Sequence, residues 1–369
     1  MASEMKEPLI HITKRSFVST TRAIVVRIVA VLIALVVSGI FAFLLIEKLS
    51  ADPSRIFEFY GCFIEGVFSS SELVWTYFKD LAVLLCISLA VTPAFRMKFW
   101  NIGAEGQTLV GMLGAVSISF YLGGKLHPAL LIVLMLIAAI IAGAVWAFIP
   151  AVFKAVWNTN ETLFTLMMNY VATFLVNFVL LLWVPSGNAL GVLDACRLPI
   201  LGHQYLLIII VAVLLTAFLC VYFKQSKQGY EISVVGESER TARYVGINVK
   251  KVVIRTMIIS GILCGLTGFL IGAGLDHSIT SDAIGGQGFT AIMVSWLAKF
   301  NPLFMVITAG LVIFLQTGAG QISETFDVQG AMPNIIVGII LFFIIGCEFF
   351  LNYEVHFRKS KKHAKGEAK

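Results

Sequence analysis

Residues 129–148 read ALLIVLMLIAAIIAGAVWAF, 20 positions without a charged side chain. Spanning a hydrocarbon core as helix takes about 20 mainly apolar residues, and only a helix or a closed barrel satisfies every backbone N–H and C=O in lipid. An uninterrupted run is a helix pattern, since a barrel strand alternates. Further runs lie at 23–46, 81–95, 102–122, 163–184, 205–223 and 257–275, and three less regular ones follow at 288–297, 303–316 and 335–350. Counted singly they predict an all-α polytopic membrane protein of about ten transmembrane helices, broken near spans three and eight to nine. Composition agrees: 59% of the 369 residues are hydrophobic and 13% charged, whereas average soluble domains are about 25% charged.

The formal charge of +6 reads as topology and not as a nucleic-acid surface, because the basic residues lie between and beyond the apolar runs. Lys6, Lys14, Arg15 and Arg22 put the N-terminus inside, and Arg358, Lys359, Lys361, Lys362 and Lys365 put the C-terminus inside, so the spans are even in number. Arg96 and Lys98, Lys154, and the loop 224–255 fall on the same side. The loop 47–80, with six acidic residues against Lys48, Arg55 and Lys79, falls outside together with 185–203. Lys299 marks the inner end of span eight, which makes spans eight and nine short. The expected organisation is a cytoplasmic basic N-terminus (1–22), a transmembrane domain (23–351) and a cytoplasmic basic tail (352–369) in the cell membrane. The first run is too long for a signal-peptide core and is read as retained.

The six cysteines show no metal spacing. Cys86, Cys220, Cys264 and Cys347 sit in or beside apolar runs as small hydrophobes, while Cys62 and Cys196 fall in outer loops and leave a pairing open. An internal echo links Asn101-Ile102-Gly103-Ala104-Glu105-Gly106, opening span three, with Ala283-Ile284-Gly285-Gly286-Gln287-Gly288, opening span eight. His127-Pro128 and Asn301-Pro302 open the spans that follow. Spans three and eight run in opposite directions, as an inverted repeat requires; chance similarity among glycine-rich helices is the competing account.

Polar groups inside a membrane must be buried in protein or line a cavity. Asn101, Glu105 and Gln107 at the head of span three, Asn169 and Asn177 in span five, and Gln287, Trp296 and Gln316 in the later spans are therefore candidates for a solute pathway. Each has a plainer reading: Glu105 as a helix cap or bridge near a membrane face, the amides as interhelical glue, Trp296 as an interfacial anchor beside Lys299. Gly261, Gly265, Gly268 and Gly272 read as GxxxG packing faces.

In the loop 224–255, residues 237–246 have helical propensity, with Gly246 placed to end the helix in a left-handed conformation. The pattern suits either a lipid surface or a partner's groove. The spacing Ala242 to Gly246, the following Ile247 and Asn248, and Ser260-Gly261 farther on resemble the ATPase-docking segment of ABC importer permeases. The branch resembled carries ribose, other simple sugars, nucleosides and branched-chain amino acids. Asn101 to Gln107 and the N-terminal extension resemble its nucleoside and simple-sugar subgroup, over about residues 75–350. The end of the older EAA motif that contains proline is missing here.

That resemblance implies a partner ATPase, a second homologous permease subunit and an extracytoplasmic substrate-binding protein. It makes Glu237, Glu239, Arg240, Ala242, Arg243, Gly246, Ile247 and Asn248 the ATPase-coupling residues. No G-x-x-x-x-G-K-[ST] loop occurs in the chain, so it is read as non-catalytic, with no cofactor of its own and with ATP and Mg bound by the partner. The alternative is a secondary, ion-coupled transporter, for which Glu105 is the candidate intramembrane carboxylate.

Overall fold

A computed structural model describes residues 10–15, 19–184, 190–194, 197–200, 202–328 and 331–357. A helix falls on each of the ten apolar runs. In chain order the elements are strand β1 (Ile10–Lys14), then α1 (Thr20–Leu45), α2 (Glu47–Ala51), α3 (Ile56–Phe68), α4 (Ser71–Arg96), α5 (Ala104–Leu122), α6 (Pro128–Trp157) and α7 (Glu161–Trp183). There follow α8 (Leu206–Gln225), α9 (Lys227–Glu237), α10 (Glu239–Tyr244), α11 (Val249–Ile271), α12 (Gln287–Leu297), α13 (Pro302–Phe326), α14 (Met332–Asn352) and strand β2 (Tyr353–Phe357).

Among the described residues, eight helices are long and apolar enough to cross a membrane. The two others on apolar runs differ for separate reasons. α5 carries Glu105, Gln107 and Thr108 in its first turns, which lowers its hydropathy. α12 has 11 residues, about 16 Å of helix, half a hydrocarbon core. Span nine is not short: α13 continues for 25 residues, because Thr317, Gln321 and Ser323 dilute its hydropathy without ending the helix. The loop 47–80 is largely helical too, since α3 lies within it and α4 begins at Ser71.

The chain forms two compact units, residues 1–66 with 315–369, and residues 67–314. In the first, α1 packs on α14, and β1 pairs antiparallel with β2 from Ile10 opposite Phe357 to Lys14 opposite Tyr353. The start of α1 and the end of α14 therefore lie at the same end of that helix pair, as an even number of crossings requires. Tyr60 donates its hydroxyl to the Leu35 carbonyl at 2.8 Å, and Phe59 packs edge-on against Phe326. Cys62 is a buried free thiol 3.6 Å from Thr325 Oγ1; Cys196 lies outside the described residues.

In the second unit α4 and α11 are buried around most of their circumference, and α6, α7 and α8 turn apolar side chains outward. The glycine faces of α11 set its distance from its neighbours. A Cβ on Gly265 would strike the Ala139 carbonyl of α6, and one on Gly268 the Thr108 carbonyl of α5. Close backbone approach is what small residues provide in lipid, where no hydrophobic force draws helices together.

Candidate functional site

α4 ends at Arg96, and the chain does not resume helix until Ala104. The turn is made by Lys98 in a left-handed conformation, φ +60°. Phe99 N–H then bonds back to the Ala94 carbonyl at 3.0 Å. The non-helical segment that follows would be expensive in a membrane without partners for its backbone, and side chains supply them. Ile102 donates its N–H to Thr165 Oγ1 at 3.1 Å, and its carbonyl accepts from Asn169 Nδ2 at 2.9 Å. Asn169 Oδ1 accepts the Gly106 N–H at 2.9 Å. Thr165 and Asn169 stand one turn apart on α7, so one helix face holds both backbone groups of the same residue.

Asn101 is fully buried and used on both ends. Its Oδ1 accepts from Gly103 N–H and Gln107 Nε2, each at 3.1 Å, while its Nδ2 donates to Gln107 Oε1 at 3.3 Å and Ser260 Oγ at 3.2 Å. Asn101, Gln107 and Asn169 are thus held by protein partners. Sequence reasoning left Asn169 even between glue and solute contact and did not single out Thr165, whose four-residue spacing from Asn169 was the available signal.

The two I-G-x-x-G stretches meet. Glu105 accepts the Gly286 N–H at 2.8 Å through Oε1 and the Gly288 N–H at 2.6 Å through Oε2. The carboxylate thus caps α12 rather than its own helix, occupying orphan donors where the helix dipole favours negative charge. A Cβ on Gly288 would come within 2.6 Å of the Glu105 backbone nitrogen, so glycine is required by the approach. Beside this cap, Gln287 Oε1 is buried with no protein hydrogen-bond partner among the described residues.

α12 also sets the distance of the carboxylate from the basic end of the helix. At its far end Trp296 sits 5.2 Å from Trp100, ring centre to ring centre, beside Lys98 and Lys299. Glu105 is therefore about 15 Å along a helix from those lysines. The predicted pathway residues divide accordingly. Asn101, Glu105, Gln107, Asn169 and Gln287 gather around the heads of α5 and α12, while Trp296 lies at the other end of α12. Asn177 is half-buried on α7, two turns beyond Asn169, and Gln316 is exposed and belongs to the other compact unit.

The loop 224–255 folds into α9 and α10. One helix was expected over 237–246, but Ser238 interrupts it: extended, it accepts the Thr241 N–H at 3.2 Å and caps α10. Glu237 is the last residue of α9. Glu231 of α9 pairs with Arg255 of α11 at 2.9 Å, and Gly236 packs on the Arg96 carbonyl at the end of α4. Ala242 is buried, while Glu239, Arg240, Arg243, Tyr244 and Val245 are exposed, with Arg243 and Glu239 3.4 Å apart. Gly246 is left-handed, φ +80°, its N–H bonded to Arg243 O at 3.1 Å and that of Ile247 to Ala242 O at 2.9 Å. This is a Schellman ending. Asn248 then caps α11 by accepting the Lys251 N–H at 3.1 Å, so Gly246, Ile247 and Asn248 form the whole turn between two helices.

Residues 73–345 match the family described as branched-chain amino acid transport system / permease component. The chain belongs to this permease family. Like it are a guanosine ABC transporter permease protein of Bacillus subtilis, 30% identical over 83% of this chain and 89% of its own length, and a glucose ABC transporter permease protein of Haloferax volcanii, 30% identical over 89% and 88%. A nucleoside ABC transporter permease protein of Lactococcus lactis is 27% identical over 94% and 97%. The permease is a multi-pass membrane protein, and the site around Glu105 lies within the matched region.

Proposed function

We propose that this permease is the membrane-spanning subunit of an ABC importer for a nucleoside or simple sugar, with ATP hydrolysis supplied in trans. The observation that carries the reading is similarity over 83–94% of the chain to guanosine, glucose and nucleoside permeases. The chemistry around Glu105 supports it: amides predominate, the carboxylate is engaged by two backbone donors, and Gln287 Oε1 is an acceptor suited to a hydroxyl or amino group. A carboxylate committed to a helix cap is poorly placed to take a coupling ion.

In this reading a partner ATPase binds ATP and Mg and closes against α10. That closure rocks the helices between outward and inward access. A second permease subunit completes the pathway, and an extracytoplasmic binding protein delivers the solute. Both termini and residues 224–255 face the cytoplasm. The test is uptake of labelled guanosine, ribose and glucose in proteoliposomes holding the assembled complex. Nucleoside or sugar uptake that needs ATP, and disappears when the ATPase's phosphate-loop lysine is replaced, is the expected result. Uptake driven by an ion gradient with that ATPase inactive overturns the reading.

A further inference from the structure

α11 runs on into a π-helical turn, Gly272–Asp276, which His277 closes in a left-handed conformation at φ +52°. Turns of this kind and strained left-handed residues gather at functional sites. Leu190, Leu193 and Leu198 lie across it: Leu193 N–H bonds to the His277 carbonyl at 2.8 Å, Leu198 N–H to the Ala273 carbonyl at 3.2 Å, and Ser278 Oγ donates to the Leu190 carbonyl. Beside this turn, at the start of α8, is a cavity of about 170 Å³ whose wall is more polar than apolar. Ile208 and Leu270, each 3% exposed, form part of the wall, as do Arg197, Gln204, Tyr205 and His277. We propose that this cavity binds the heteroaromatic base of a nucleoside, seated on Ile208 and Leu270 with its polar edge toward Arg197, Gln204 and His277.

Size and chemistry select that occupant. A cavity of about 150 Å³ takes one benzene ring, so this one takes a single ring of a solute and not a whole nucleoside. A base has apolar faces and a hydrogen-bonding edge, and the wall offers both kinds of surface. A sugar bears hydroxyls around its ring, and those set against Ile208 and Leu270 would lose their bonds to water. The polar side chains supply donors and acceptors together. His277 Nδ1 lies 3.0 Å from the Ala273 carbonyl, and a neutral ring that donates there leaves Nε2 as an acceptor. Arg197 gives one nitrogen to Asp194 at 3.2 Å and keeps its other donors. Gln204 makes no side-chain hydrogen bond among the described residues and offers both a donor and an acceptor. The 23 residues of α11, about 34 Å of helix, separate the cavity from the turn at Gly246 to Asn248. With that turn cytoplasmic, the cavity lies on the outer side, where an arriving solute first meets the permease. The inference rests on the importer reading and narrows its solute to a nucleoside.

The experiment photolabels the full chain in nanodiscs with azidoguanosine and maps the labelled peptides by mass spectrometry. Label is expected within residues 197–208 or 270–277, with protection by guanosine and none by ribose or glucose at equal concentration. Arg197→Leu/Gln204→Leu, at two exposed positions, should weaken guanosine protection at least about tenfold. If that pair fails to fold, Gly274→Leu decides: its Cβ would point at Leu198 in the cavity wall, and the filled cavity must lose its label. Label confined to other residues, equal protection by a sugar, or labelling and protection that survive the substitutions overturns the proposal. The importer reading fails separately. Guanosine uptake that needs no ATP in the assembled complex, with label still in the cavity, refutes the importer and leaves the site standing; ATP-driven guanosine uptake with no label here refutes the site alone.

Discussion

Glu105 and Gly288 are 183 residues apart in sequence and 2.6 Å apart in space, carboxylate oxygen to amide nitrogen. With the Gly286 contact at 2.8 Å, this places the heads of two helices on one side chain. Hydrogen bonds to a charged group are each worth about 1.5–3 kcal/mol. Glu105→Ala should therefore free the start of α12 and lower transport at least about tenfold, while Glu105→Gln, which keeps one acceptor oxygen, should fall between. Initial uptake rates in the assembled complex check this, and an alanine variant with normal rates rules the cap out as functional.

Gly288→Ala tests the same junction from the other side. The added methyl would meet the Glu105 backbone nitrogen at 2.6 Å and cannot be relieved by a rotamer change. A cost of about 1–3 kcal/mol is expected for such overpacking, seen as a lowered melting temperature in detergent together with reduced uptake. Gly320→Ala, with open space around its Cβ position, is the control and should leave both unchanged.

Asn169→Leu removes two partners at once, leaving the Gly106 N–H and the Ile102 carbonyl without their bonds. Each orphaned buried group costs about 1–3 kcal/mol. Asn177→Leu, in the same helix and with no side-chain hydrogen bond among the described residues, should be mild. Thermal unfolding of the two purified variants gives the comparison, and equal melting temperatures would contradict the bracing role of Asn169.

At the cytoplasmic turn, Gly246→Val forces a β-branched residue to φ +80°, at about 1–2 kcal/mol. Ala242→Pro inserts a ring into a buried position of a six-residue helix. Arg243→Glu disturbs only an exposed pair with Glu239, worth about 0–1 kcal/mol. Solute-stimulated ATPase activity should therefore fall in the order Ala242→Pro, Gly246→Val, Arg243→Glu. Normal coupling in the proline variant would mean that α10 does not transmit closure.

Topology is checked by single cysteines in a background free of reactive thiols. Outside labelling should mark position 52 and spare position 238. The reverse pattern would invert the membrane orientation, since both termini leave their helix pair at one end.

The apolar runs made the helices legible, because a stretch that cannot face water is helical in lipid whatever its partners. Gly246 was legible for a similarly local reason: a Schellman ending needs a left-handed residue just after its helix, and glycine adopts that conformation without strain. What escaped was long-range or polar. Nothing near Glu105 in sequence shows that its oxygens close on Gly286 and Gly288. Nor could hydropathy see α13 running on past Gln316 through polar residues, or Ser238 dividing α9 from α10, since a serine in a helical stretch becomes a cap only when the chain bends there.

The half-length of α12 has an electrostatic consequence. A helix that begins inside the protein brings about half a positive charge to that point. α5 begins at the same junction, so the two helix starts together offset an ionised Glu105 and leave the junction close to neutral.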